Sequence, residues 1–237
     1  MPGAIAVARR FNGPPSSGNG GYTAGLIAGV IGEPIAVRLH QPVPLERELR
    51  IAEAGERWTV RDGEELIATA TRTSVAVEVP RPPSFSAAVA SSTRYVGFKD
   101  HGYPDCFVCG PNREPHDGLR VFPGAVANTS VLAAPWTPDA TLDDGARRLR
   151  AEHMWAALDC PGFFATLSTT PALLGELAVR IDRVVRIDEP CVVIAWAIAQ
   201  EGRKHRAGTA LFGESGELCA VGVATWIELK KNAGDSA

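Results

Sequence analysis

An internal repeat constrains this chain more than any other feature. The segment "AVRLHQPVPLERELRI" from Ala36 lies over "AVRIDRVVRIDEPCVV" from Ala178 at an offset of 142 residues, which sets Arg180 against Arg38. After each copy come an alternating strand, a turn with Gly and Glu, and a further strand. These read "DGEELIATATRTSV" from Asp62 and "ESGELCAVGVATWIEL" from Glu214. There the offset has grown to 152, with Leu218 against Leu66, so the second half carries about ten more residues in its hairpin, around "QEGRKHRAGT". A helix-like stretch precedes each copy, at residues 22–31 and from 151 to 159 or beyond. Each half therefore reads as one helix followed by a β-meander. Such a chain is expected to be α+β, folding as two similar units about a pseudo-two-fold axis, with Arg38 and Arg180 at equivalent strand positions.

Between the halves lies "VPRPPSFSAAVASST", whose three prolines remove backbone donors and fix φ, so an extended linker is expected near residues 80–92. The chain divides into a first half (1–80), a linker with a cysteine-containing loop (81–117), a second half (118–230) and a frayed tail (231–237). With 45% hydrophobic residues in a chain of 237, a substantial core can form. A net charge of −3 and scattered arginines give no reason to expect nucleic acid or an acidic membrane as partner, and favour a small neutral or anionic ligand. The opening "MPGAIAVARRF" lacks the apolar core of a signal peptide, and no apolar run approaches the ~18 residues that span a bilayer, so a cytoplasmic location is expected. Five cysteines, an odd number, suit reduced thiols.

The stretch "RFNGPPSSGNGGYTAGLIAGVIG" places loop-forming residues directly before an apolar helix. Gly20 and Gly21 fall where backbone N–H groups have no partner within the helix and face outward at the positive end of its dipole, so a polarised oxygen is favoured there. Without Cβ atoms they let the backbone approach a ligand closely. Asn19 supplies a donor and an acceptor at the same place, or acts as a plain helix cap before a packed helix. Ala24, Gly25, Ala28 and Gly29 make one side smooth enough for a second backbone to lie close.

In the second half Asp159 sits in the apolar helix "HMWAALD". Trp155, Leu158 and Phe163 around it would desolvate the carboxylate and raise its pKa, as a general base needs; the plain alternative is a helix-terminal carboxylate bonded to local amides. Pro161 disfavours helical geometry at Cys160 and predicts a kink near the acid. Cys106 and Cys109 form one C-x-x-C with His101 and His116 nearby, but no second pair follows, so no metal is expected and the cysteines read as a turn packed under the sheet. Cys160 reads as a small buried residue rather than a nucleophile, since His153 lies six positions earlier on another helix face.

Taken together, these features resemble the double hotdog proteins of the acyl-CoA thioesterase type, in the PaaI-type thioesterase superfamily. "GNGGYTAGL" is similar to their helix-entrance motif. "CFVCGPNREPHDGLRVFPG" resembles a cysteine-glycine-proline segment of many hotdog thioesterases, and "AALDCPGFFA" resembles their central helix bearing an acid. The resemblance covers most of the chain. It implies a tandem hotdog, each half a helix wrapped by a curved antiparallel sheet, and hydrolysis of an acyl thioester without a cofactor. Asp159 would activate water, and Asn19, Gly21 and Tyr22 would complete the catalytic set, with the amides of Gly21 and Tyr22 polarising the carbonyl. Gly20, Thr23, Trp155 and Ser168 would contact substrate. The first half lacks an acid along its helix and the second lacks the glycines, so the implied site is composite and single. A non-catalytic acyl or acyl-CoA binding module is the alternative; a hotdog hydratase fits less well, because no His accompanies Asn19. Two such chains are expected to pair as a homodimer through exposed sheet edges.

Overall fold

Period-two alternation builds the first half of the sheet. In Glu48–Ala54, Leu49 and Ile51 point inward while Glu48 and Arg50 face solvent, the pattern of a sheet with one wet face. The structure is a computed structural model and describes residues 3–230; the tail at 231–237 lies outside the described residues. Its strands are β1 (Gly3–Ala6), β2 (Ile35–Leu39), β3 (Glu48–Ala54), β4 (Arg57–Asp62), β5 (Glu65–Arg72), β6 (Gly124–Ala125), β7 (Leu132–Trp136), β8 (Ala172–Ile181), β9 (Cys191–Glu201), β10 (Lys204–Phe212) and β11 (Leu218–Glu228). The helices are α1 (Gly20–Ile31), α2 (Phe85–Ser92), α3 (Ala151–Ala157) and α4 (Cys160–Thr166). The fold is α+β, with one large antiparallel sheet and few helices.

All eleven strands join one sheet in the order β1-β3-β4-β5-β2-β8-β11-β10-β9-β7-β6. Outward from the β2/β8 seam, the order β2-β5-β4-β3-β1 on one side corresponds to β8-β11-β10-β9-β7 on the other. Arg38 lies opposite Thr69, and Arg180 opposite Val221, so the offset is 142 on the inner strands and 152 on their neighbours, as in the sequence alignment. The additional residues of the second half lengthen both arms of the β9–β10 hairpin, which still closes in a two-residue turn at Gly202 and Arg203. At the seam Ala36 pairs with Ala178 and Arg38 with Glu176, whose side chains form a 2.8 Å ion pair on the surface.

One face of the sheet carries α1, α3, α4 and the main core. α1 meets α3 along a glycine stripe: a Cβ on Gly21 would stand 2.4 Å from the Asp159 Cβ, and one on Gly25 would stand 2.6 Å from the Glu152 Cα. The close side of α1 is thus Gly21/Gly25; Gly29 faces open space, which corrects the expectation that it shares the contact. On the other face of the second half, Val75, Ala88 and Val131 join Ile194, Trp196 and Val221 in a separate apolar cluster. Segment 80–92 is therefore only partly an extended linker. Residues 73–84 run without regular structure, and α2 follows, capped by the Ser84 hydroxyl accepting from the Ala87 amide at 3.2 Å. Covered on both faces, β9 opens with the continuous apolar run Cys191–Trp196 instead of an alternation.

Candidate functional site

Asn19 opens α1 as its N-cap: its Oδ1 accepts from the Tyr22 amide at 2.8 Å, and its backbone carbonyl accepts from the Thr23 hydroxyl at 2.8 Å. That leaves its side-chain amide free to donate to Asp159 Oδ2 at 3.0 Å. The same oxygen accepts from the Gly21 amide at 2.8 Å, so a carboxylate from the second half sits against the N-terminus of the first half's helix.

A break in the second half's helix presents that carboxylate. α3 ends at Ala157, Asp159 adopts φ −87° and ψ −82°, and α4 begins at Cys160 with Pro161 in its first turn. The kink falls just before Cys160, which is itself helical, so the proline sits where its missing N–H costs nothing. The Leu158 carbonyl, freed by the break, accepts from the Thr209 hydroxyl at 2.8 Å. Asp159 is only 1% exposed. Its Oδ1 is buried without a hydrogen-bond partner among the described residues. Burial pushes its pKa up to about 7, against the lowering effect of the Gly21 and Asn19 hydrogen bonds.

Asp159 lies on the wall of a cavity of about 660 Å³. Leu39, Phe163, Phe164, Leu174 and Trp226 make that wall largely apolar, and Asn19, Gly20 and Ser168 lie on it too. Trp226, also on this wall, has an indole N–H that like Asp159 Oδ1 is buried without a partner among the described residues, and sequence reasoning missed it. It stands near the end of β11, inside the second copy of the repeat but far along the chain from Asn19 and Asp159, and only the pairing of β11 with its neighbours brings it to the cavity.

Other expected site residues are placed differently. The amides of Gly21 and Tyr22 are already bonded, to Asp159 and Asn19, and do not point at a vacant carbonyl position. The Tyr22 ring stacks on Phe11 at 4.0 Å and on His153 at 5.5 Å, inside the core. Thr23 and Trp155 are buried and absent from the cavity wall. Thr23 and Trp155, expected to contact substrate, thus lie away from this cavity: an aromatic or hydroxyl beside a motif can turn to either side of its helix, and spacing alone does not say which. His153, within the aromatic group, has a buried unpartnered Nδ1, and burial lowers its pKa to about 3.

Cys106, Cys109 and Cys160 are free, buried and on the cavity wall. Hydrogen bonding from its neighbours holds the Cys106 thiol well below its ordinary value, while burial raises Cys109. His101 lies beside them, its ring bonded to the Cys109 carbonyl and the Tyr103 amide, whereas His116 pairs with Asp139.

No protein-family model and no curated protein sequence matches the chain. Among solved structures, the tesB protein of Mycobacterium avium subspecies paratuberculosis superposes with a TM-score of 0.62 at 13% identity, covering 97% of this chain and 93% of that one. A protein of Novosphingobium aromaticivorans described as a thioesterase gives 0.60 at 12%, covering 97% and 96%. One of Thermobifida fusca described as a thioesterase II gives 0.60 at 14%, covering 97% and 94%. The chain shares the fold of these thioesterase structures along nearly its whole length. No helix of the described residues is long and apolar enough to cross a membrane.

Proposed function

We propose that the chain is a double hotdog thioester hydrolase that cleaves acyl thioesters such as acyl-CoA in the cavity beside Asp159. The observation that carries this reading is the division of roles within one carboxylate. Oδ2 is fixed by Asn19 and Gly21, while Oδ1 is buried with no hydrogen-bond partner among the described residues, on a residue that lines a largely apolar cavity. A carboxylate held this way has one oxygen ready to take a proton from water as the water attacks the thioester carbon. The apolar wall suits an acyl group. The carbonyl is polarised by the amide of Gly20, the first of α1 and the one on the wall, in place of the two amides already bonded. Equivalence of Arg38 and Arg180 in the pairing registers supports the tandem architecture, and the fold shared with thioesterase structures supports the reaction class.

A second reading, an acyl-binding module without turnover, is favoured by one observation: Asp159 is almost sealed and bonds directly to Gly21, with no gap between them for a thioester. Turnover separates the two. The purified chain is offered a panel of acyl-CoA thioesters, and loss of thioester absorbance is followed, because five protein thiols would obscure a thiol reagent. Hydrolysis of at least one member, slowed ~10²-fold or more in kcat by Asp159→Asn, is expected. Binding with no turnover, or turnover unchanged in the variant, overturns the hydrolase reading.

A further inference from the structure

Three buried thiols have no part in that chemistry. Cys106 and Cys109 come from the loop between α2 and β6, and Cys160 from the first turn of α4; all three Sγ atoms lie within 4.8 Å of one another. Cys106 Sγ and Cys160 Sγ are 3.8 Å apart, across 54 residues of chain. Small apolar filling is the ordinary use of buried cysteine. It leaves two features unexplained.

First, a polar donor stands beside the sulfurs. The C-x-x-C segment folds into a tight turn around Cys106. The turn is closed by the Gly110 amide donating to the Cys106 carbonyl at 2.9 Å, and a Cβ on Gly110 would strike the Cys106 nitrogen at 2.5 Å. Asn19 Nδ2 stands 3.8 Å from the Cys160 sulfur. A donor beside sulfur suits a thiolate. Yet no lysine or arginine lies on this wall to balance it. Second, the spacing matches a soft cation: Zn–S bonds of about 2.3 Å put the sulfurs of a tetrahedron about 3.8 Å apart, the separation found between Cys106 and Cys160.

We propose that Cys106, Cys109 and Cys160 bind one zinc ion through three thiolates, with the fourth position left to a molecule in the cavity. On binding, each thiol gives its proton to solvent and its sulfur lone pair to the metal. The ion ties the cysteine loop to the first turn of α4, one residue beyond Asp159, and so braces the end of the cavity where the carboxylate sits. This holds whether or not thioesters are hydrolysed.

Elemental analysis of the full chain, purified under reducing conditions, then incubated with zinc and dialysed, should give about one zinc per chain. Cobalt titration should give an intense sulfur-to-metal charge-transfer band and the visible bands of a tetrahedral site. Cys160→Ser should weaken zinc binding by tenfold or more, whereas Cys191→Ser, outside the cluster, should leave it unchanged. Should Cys160→Ser fail to fold, the wild-type cobalt spectrum still decides. Zinc well below one per chain in a folded sample, an octahedral cobalt spectrum, or a Cys106–Cys109 disulfide that persists in reductant overturns the proposal.

Discussion

α1 and the α3/α4 pair occupy corresponding places in the two halves, yet one is smooth and unbroken while the other is interrupted at an acid. The first half gives up side chains: Gly21 and Gly25 bring its backbone against Asp159 and Glu152. The second half gives up helical continuity, breaking at Leu158 and Asp159 so that a carboxylate reaches the amide of Gly21. Neither change is useful alone. A glycine-lined helix start needs an acceptor, and a buried carboxylate needs donors. Opposite departures from a regular helix, one in each half, are what let the carboxylate of one meet the helix start of the other.

The sharpest way to break this contrast is Gly21→Val. The new side chain would meet the Asp159 Cβ and the Trp155 carbonyl, 2.4 and 2.8 Å from its Cβ, so α1 and α3 must separate. A loss of ~3 kcal/mol or more is expected by urea unfolding; a loss under about 1 kcal/mol would show that the glycine stripe is not what sets the approach.

Next is the acid response of His153. Its folded pKa, about 3, lies below the ordinary 6.5, so the unfolded chain binds the proton more readily. The sign follows: this contribution is fully present above pH 6.5 and is lost as pH falls from there toward about 3, by a few kcal/mol on the order of the linkage expected for such a shift. His153→Phe keeps ring packing against Phe11 and Tyr22 and removes the titration. The stability difference between variant and wild type should therefore grow in the variant's favour as the solution is acidified. Parallel pH profiles would count against it.

Smaller still is Thr209→Val, which leaves the Leu158 carbonyl at the helix break without its 2.8 Å donor. A cost of ~1–3 kcal/mol is expected, and an unchanged midpoint would mean that water or a shifted backbone satisfies the carbonyl.

Much of the architecture was legible because it rests on local periodicity. Alternation marks strands, and the two offsets, 142 and 152, follow from strand and hairpin lengths that sequence alone carries. The meeting of Asp159 with the α1 entrance was legible in outline, since each half visibly lacked one part. Its detail was not. Whether the Gly21 amide faces a ligand or the carboxylate depends on how closely two helices approach, and that distance is set by Gly21 and Gly25 together with Trp155 and Glu152 across the contact. The third cysteine was illegible for a different reason. Cys160 joins Cys106 and Cys109 only through tertiary structure, so a count of spacings found one C-x-x-C and stopped. Segment 85–92 read as linker because its Pro, Ser and Ala content is that of a spacer, while Ala88 is held by the sheet beneath it.

The bond from Gly21 to Asp159 also bears on cooperativity. Cutting the chain between its halves would strand a buried carboxylate without donors on one piece and a helix start without its acceptor on the other. The main core makes the same point, since Tyr22 and Ile27 from one half and Met154 and Leu158 from the other belong to a single cluster. The two halves are thus expected to be one unit of unfolding: their interiors are shared, and the whole chain should melt in one transition rather than as two modules in succession.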